Sequence, residues 1–306
     1  VPLTAAAAVA LSAVLDAAVA EPPVRLHPVA LFGRLVARVD RAWSRPRLAG
    51  VVAAVSLPLA FACAAAAVVA VGSAVDPWLG SLLAGLVLFS TTSLRMLLDA
   101  AREVVAEADA DLDAARRSLR ALAGRDAAEL DAAHVRSAAV ESLAENLADG
   151  LVAPLAAFAV CAPASLSLAA GAAAWVKGVN TLDSMLGYRS KPVGRAPARL
   201  DDAVMWLPAR LSAVLLAVAA AKPGLAASGR VRTLARRPSS PNSGWPMATM
   251  AAALPARLVK RGAYDLNPSS PTPVSLPDAR DAERAVALTR RAGLLAVAAA
   301  GVIAWS

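Results

Sequence analysis

Aromatic residues are scarce: phenylalanine, tryptophan and tyrosine make up 4% of the 306 residues. No stretch alternates them with basic side chains, as a surface that stacks nucleic-acid bases would. Nucleic acid is therefore excluded as a partner, despite a net charge of +8 and a pI near 10.4. There are two cysteines, Cys63 and Cys161. Both lie inside apolar stretches, which argues against a disulfide or a thiolate metal site. Two histidines, His27 and His134, are too few for a histidine-rich zinc centre. No GxxxxGK[ST], GxGxxG or GxSxG signature occurs, so the common phosphate-binding loops and the serine-hydrolase elbow are absent. No internal repeat is present.

What the chain has in excess is apolar side chain. Hydrophobic residues reach 58% and mean hydropathy is +0.56, above the 45–50% apolar content typical of soluble domains. Apolar segments fall at 3–20, 51–75, 78–94, 151–176, 203–221 and 293–306. Of these, 51–75 is long and uncharged enough to read directly as a crossing. Segment 3–20 carries Asp16 and has no basic residues before it, so it reads as part of the mature protein and not as a signal peptide. The final segment, 293–306, is short for a full crossing.

These features predict an all-α, polytopic integral membrane protein, read as one membrane-embedded domain over 1–306. A cytoplasmic helical insertion is expected over 99–150, and a Pro/Ser-rich cytoplasmic loop region over 222–291. Arginines at 34, 38, 41, 45 and 47 mark the first loop as cytoplasmic. A basic helix is expected there from about Val29 to Trp43. Asp76-Pro77 makes a tight hairpin tip facing out. Between 99 and 149, Val105, Ala108, Leu112, Ala115, Leu119 and Leu122 recur at helical spacing. Gly124 suits a helix end, and Asp126 with Glu129 suits the start of the next helix. Segment 151–176 carries Pro154 and Pro163, and the loop after it is as basic as the inside loops. A re-entrant, proline-broken helix fits that charge pattern better than a single crossing. The polar face is thus placed on the cytoplasmic side of the cell membrane, with the lipid bilayer as a partner.

The chemistry-bearing residues gather at the ends of these segments. Glu141, Glu145 and Asp149 are spaced i, i+4, i+8, which on a helix makes one acidic stripe with Asn146 beside it. Acids abutting the apolar run 151–161 are costly near hydrocarbon unless compensated. A hard cation such as Mg²⁺, carrying a phosphate, would compensate them. A solvated acidic face is the plain alternative. Asn180, Asp183 or Ser184, and Gly187 share a helical face. Arg199, Asp201 and Asp202 precede Trp206, Pro208 and Arg210. Pro241-Asn242-Ser243-Gly244-Trp245-Pro246 reads as a rigid loop offering an amide and a flat ring. His27, between prolines, suits a proton carrier or a phosphate donor. Carboxylates, amides and guanidinium groups together point to a phosphate-handling site.

These same stretches resemble the adenosylcobinamide-phosphate synthase family (CobD/CbiB) of cobalamin biosynthesis. The matching blocks are Leu15-Asp16…Glu21-Pro-Pro…His27-Pro28…Gly33-Arg34 and Glu141-Ser-x-Ala-Glu-Asn-x-x-Asp-Gly-x-x-Ala-Pro154. They continue as Asn180-Thr-Leu-Asp-Ser-Met-x-Gly-Tyr188, Arg199-Leu-Asp-Asp202…Trp206-x-Pro-Ala-Arg210 and Ser240-Pro-Asn-x-Gly-Trp-Pro246. One departure stands out: the family's usual Gly-Asp before the first prolines is Ala20-Glu21 here.

The resemblance implies a membrane ligase joining aminopropanol, normally as its phosphate ester, to a carboxylate of adenosylcobyric acid, with ATP and Mg²⁺. Under it, Glu145, Asp149, Asp183 and His27 are catalytic candidates, and Glu141, Glu145, Asp149, Asp201 and Asp202 are metal candidates. Lys177, Arg189, Lys191, Arg199 and Arg210 are phosphate candidates. Asn146, Asn180, Asn242 and Trp245 would contact the corrin. Other cobalamin-pathway membrane enzymes are implied partners. A corrinoid or small-solute transporter, or a non-catalytic membrane regulator on the same fold, are the alternatives.

Overall fold

The computed structural model describes residues 2–124, 126–188, 190–269 and 272–306. It is helical nearly throughout. The chain begins with α1 (Pro2–Val19), α2 (Pro28–Ala37), α3 (Pro46–Val75) and α4 (Pro77–Thr91). Next come α5 (Arg95–Ala110), α6 (Leu112–Ala123) and α7 (Ala132–Leu147). A π-helical turn, Ala148–Val152, joins α7 to α8 (Ala153–Cys161), and α9 (Leu166–Leu186) follows. The rest is α10 (Arg195–Val204), α11 (Trp206–Ala219), α12 (Gly229–Leu234), α13 (Gly244–Ala253), a two-stranded hairpin and α14 (Ala279–Trp305). The hairpin pairs β1 (Leu258–Lys260) antiparallel with β2 (Tyr264–Leu266).

Among the described residues, five helical runs are long and apolar enough to cross a membrane: Pro2–Val19, Pro46–Val75, Pro77–Ala110, Ala132–Cys161 and Ala279–Trp305. A sixth candidate is the pair Pro192–Val204 and Trp206–Ala219, bent by 47°. Many large apolar side chains on these helices point outward, among them Val51, Val55, Leu59, Val71 and Val302. Outward apolar faces on helices with satisfied backbones suit lipid as the solvent. The protein is a multi-pass, all-α membrane protein.

The single domain read from the sequence packs as two compact units. The first holds the chain up to Ser93, Asp149–Met205 and Ala296–Ser306; the second holds Leu94–Ala148 and Trp206–Leu295. In the first unit α9 lies along α3 and α8, and α1 packs on α4. Small residues permit the α3–α9 approach. A Cβ on Gly171 would meet the Ala62 carbonyl oxygen at 3.2 Å, and one on Gly178 would meet Pro58 Cα at 3.2 Å. In the second unit Val104, Ala108, Ala115, Leu119, Val135 and Ala139 form one core across α5, α6 and α7. That core is the helical-spacing pattern of the sequence, closed on itself.

Several expectations change. The basic helix stops at Ala37 and does not reach Trp43; its end tightens into i→i−3 bonds, Arg38 N–H donating to the Leu35 carbonyl and Val39 N–H to the Val36 carbonyl. Locally, the Trp43 indole N–H donates to the Val39 carbonyl and Arg41 stacks on Trp43. Gly124 does end α6, at φ 58. Asp126 does not start α7; it accepts from Ala128 N–H two residues on, an Asx-type turn. Asp131 is the cap, accepting from His134 N–H at 2.9 Å. His134 is correspondingly tied to Asp131 and Arg261. Segment 151–176 does break, at 162–165, into α8 and α9, which pack against each other, in line with the proline-broken helix expected there. Segment 293–306 is the end of a 27-residue helix that runs straight through Arg290-Arg291. Region 222–291 holds α12, α13 and the hairpin where loops were expected. Pro246 is accommodated in the first turn of α13, where its missing N–H costs nothing.

Candidate functional site

The first unit concentrates buried and half-buried charge. α1 ends at Ala20 with φ 67, the left-handed conformation, and this turns the chain so that Glu21 precedes the two prolines. His27 then caps α2: Val29 N–H donates to its Nδ1 at 3.2 Å. Because Nδ1 accepts, a neutral His27 carries its proton on Nε2, which lies 3.6 Å from Glu21 Oε2. Burial pushes Glu21 up, but the hydrogen bond and charge of His27, the Ser93 hydroxyl and the Lys177 ammonium outweigh it. Glu21 is held below the usual carboxylate range. Lys177, half-buried on α9, in turn has Asp149 and Glu21 as the acids acting on its charge.

Asp149 arrives by way of the π-helical turn, whose Gly150 carbonyl accepts from Ser93 N–H at 2.8 Å. Such single wide turns occur frequently at functional sites. The turn also breaks the stripe expected from the i, i+4, i+8 spacing. Glu141, fully buried in the second unit, accepts from Ser137 Oγ at 2.9 Å and from Tyr264 Oη at 2.6 Å. Both its oxygens thus have hydroxyl donors, and it anchors the hairpin to α7. Glu145 is half-buried on α7. The Asn146 amide donates to the Ser142 carbonyl and hydroxyl, so it is spent within its own helix. The three acids are not one metal cage. Among the described residues no group of three His, Cys, Asp or Glu side chains could hold a metal.

A second pair lies further along the first unit. Asp183, near the end of α9, is pushed up to about 6 by burial and by the charge of Asp202. Its Oδ1 is buried without a hydrogen-bond partner. Asn180 lies one turn earlier on α9, its carbonyl accepting from Ser184 Oγ. Asp201 is half-buried beside Asp202 on α10. Of the basic candidates, Lys191 is paired with Asp40 at 2.6 Å, Arg199 is exposed on α10, and Arg189 lies outside the described residues. Arg210, Asn242 and Trp245 belong to the second unit and meet each other there. Sequence reasoning missed Asp40, Trp206 as Arg210's other stacking partner, and Tyr264. Only Trp206 stood in a singled-out block; Asp40 and Tyr264 depend on contacts 151 and 123 residues away.

Comparison with known proteins decides the lineage. The family model described as CobD/Cbib protein matches residues 9–289. The chain belongs to the CobD/CbiB family. A probable cobalamin biosynthesis protein CobD from Methanothrix thermoacetophila is 35% identical, over 94% of this chain and 92% of its own. The cobalamin biosynthesis protein CobD of Rhodobacter capsulatus is 37% identical, over 92% of this chain and 90% of its own. That of Klebsiella pneumoniae is 38% identical, over 80% and 79%. No solved structure matches. Its role is in cobalamin biosynthesis.

The Ala20 geometry has a consequence for stability. The alanine sits in the left-handed region, at a cost of roughly 1–2 kcal/mol for an L residue. Ala20→Gly is expected to raise stability by about 1 kcal/mol, less the entropy that glycine loses on folding. Thermal unfolding in detergent checks this. A lower melting temperature would mean that Ala20 is unstrained.

Proposed function

We propose that the chain is an adenosylcobinamide-phosphate synthase, an ATP- and Mg²⁺-dependent ligase that joins aminopropanol phosphate to a carboxylate of adenosylcobyric acid. The observation that carries the reading is the Glu21–His27–Lys177–Asp149 cluster set among apolar helices, in a chain of this family. Charge held in that setting is costly unless it has a use.

Carboxylate and amine do not condense in neutral water, so the step needs a phosphoryl donor. The substrate carboxylate attacks the γ-phosphorus of ATP, ADP leaves, and an acyl phosphate forms. The amine nitrogen then attacks the acyl carbon, phosphate departs, and the nitrogen sheds one proton. Lys177 binds an anionic reactant beside Asp149, lowering the repulsion between carboxylate and phosphoryl oxygens. Glu21, oriented by His27 Nε2–H, accepts the amine proton. His27 acts through Glu21 in this scheme, since its Nδ1 lone pair is occupied by the α2 cap.

Asp183 and Asp202 suit a magnesium ion. The orphaned Asp183 oxygen and the neighbouring like charge are what a hard cation relieves. Mg²⁺ commonly takes one or two carboxylates plus phosphate oxygens. When bound, the ion would screen the transferring phosphoryl group.

Two measurements check this. Purified protein in detergent, given adenosylcobyric acid, aminopropanol phosphate, ATP and Mg²⁺, is expected to release adenosylcobinamide phosphate with about one ATP consumed per amide, and to stop without Mg²⁺. No amide, with corrinoid moving across a reconstituted vesicle, would establish the transporter; neither activity would leave the regulator. The titration of the metal-free protein tests the carboxylate pair. Without Mg²⁺, Asp183 should take up a proton near pH 6, followed by its carboxyl NMR signal. Asp202→Asn removes the like charge, so that titration should move to lower pH, only part of the way because burial is the larger cause. An unmoved titration would separate the two carboxylates.

A further inference from the structure

A cavity of about 870 Å³ runs between α5 and the first half of α14, within the second unit. That size is typical of ligand sites. Each helix lends it one face at helical spacing: Arg102, Val105, Ala106 and Asp109 from α5, and Glu283, Val286, Arg290 and Leu294 from α14. Arg136 fixes the direction of the two helices. Its Nη1 donates to Asp109 at 2.7 Å and its Nε to the Pro277 carbonyl at 3.1 Å, so the end of α5 lies beside the start of α14. From there the helices run alongside in opposite senses, and Arg102, Arg290 and Arg291 come to the far end.

The two ends differ in chemistry. Asp109 and Glu283 lie toward the near end, where Asp109 is neutralised by Arg136. At the far end Arg102 is paired with Asp99 at 2.7 Å. Arg290 and Arg291 form no ion pair among the described residues. They stand about two helical turns, ~10 Å, from Glu283, so the uncompensated charge of the far end is positive. Just past it the chain becomes wholly apolar: 292–306 contains no charged residue, and α14 is long and apolar enough to cross a membrane. Leu294, the last residue lining the cavity, is 54% exposed. The cavity therefore passes from two guanidinium groups directly onto the apolar wall of a crossing helix.

A soluble anion would use the arginines and gain nothing from that wall. A basic belt that merely anchors α14 at the membrane surface needs no cavity. An amphiphile with a phosphate at its head uses charge, volume and wall together, as lipids do in basic pockets between membrane helices. We infer that this groove holds the headgroup of an anionic phospholipid, its phosphate at Arg290 and Arg291 and an acyl chain along Leu294. No reactant of the proposed ligation is needed to test it.

Native mass spectrometry of the full chain released from detergent reads bound lipid directly. Dioleoyl-phosphatidylglycerol is expected to bind more tightly than dioleoyl-phosphatidylcholine. Arg290→Gln/Arg291→Gln should weaken phosphatidylglycerol by about 30-fold, the worth of two basic side chains at a membrane surface, and leave phosphatidylcholine unchanged. Arg280→Gln/Arg284→Gln removes the same charge from the same helix outside the groove, and should stay within about threefold of wild type. Ala287→Trp keeps every charge and fills the groove from an exposed position. It should weaken phosphatidylglycerol by about tenfold, the scale of one steric misfit, and it decides the matter even if the arginine variant is unstable. Equal binding of the two lipids, equal losses in the two arginine pairs, or no loss in Ala287→Trp would overturn the assignment in favour of diffuse surface charge. Displacement of the lipid by excess glycerol phosphate would make the groove a site for a soluble phosphate. Lipid-free dimers that Ala287→Trp abolishes would give it to a second copy of the chain.

Discussion

Asp149→Asn is expected to leave the fold intact and to lower kcat by about 10²- to 10³-fold. That is the scale on which one preorganised charge-stabilising contact is lost, ~2.7–4 kcal/mol in the transition state. The fold should survive because Lys177 keeps Glu21 as a partner and because asparagine fills the same volume in the π-helical turn. Glu145→Gln, in the half-buried final turn of α7, should lose activity on the same scale. Steady-state ligation in detergent, with circular dichroism as the folding control, checks both. Activity within about threefold of wild type in both variants would return the acids to a solvated or structural role.

How much of this arrangement the sequence discloses depends on range. α3 is legible because its apolar run is long and free of charge. The α5–α6–α7 core is legible because its apolar residues keep helical spacing. Both signals are local. The acidic stripe fails for a physical reason: constant i+4 spacing assumes one uninterrupted α-helix, and the π turn at 148–152 changes the register just where Asp149 lies. Glu141 is then claimed by Ser137 and by Tyr264, a partner 123 residues away that no spacing rule reports. Likewise, Arg290-Arg291 split the closing helix into a basic loop and a short apolar tail on paper. In the structure these long side chains simply lie exposed on a continuous helix. The motif blocks did locate the chemistry, since Glu21, His27, Asp149 and Lys177 all come from or abut them. They did not say which block meets which.

Lys177 should be the most sensitive position for stability. It is the cation acted on by both Asp149 and Glu21, and replacing it with methionine removes that cation from both acids. Removing one partner of a buried pair costs 3–5 kcal/mol in general, and about 3 kcal/mol suits a half-buried lysine. Lys177→Met is therefore expected to melt well below the wild type in detergent. The double variant Lys177→Met/Asp149→Asn removes one of the two acids that act on Lys177 and should recover part of that loss, because removing one member of a charge pair leaves the other charge at a cost. Activity should not return with stability, since the double variant lacks both the cation that binds the anionic reactant and the acid beside it. Recovery of neither would mean that Lys177 acts through packing of its stem along α9. Recovery of both would remove the pair from the chemistry altogether and leave Glu21 and His27 to carry it.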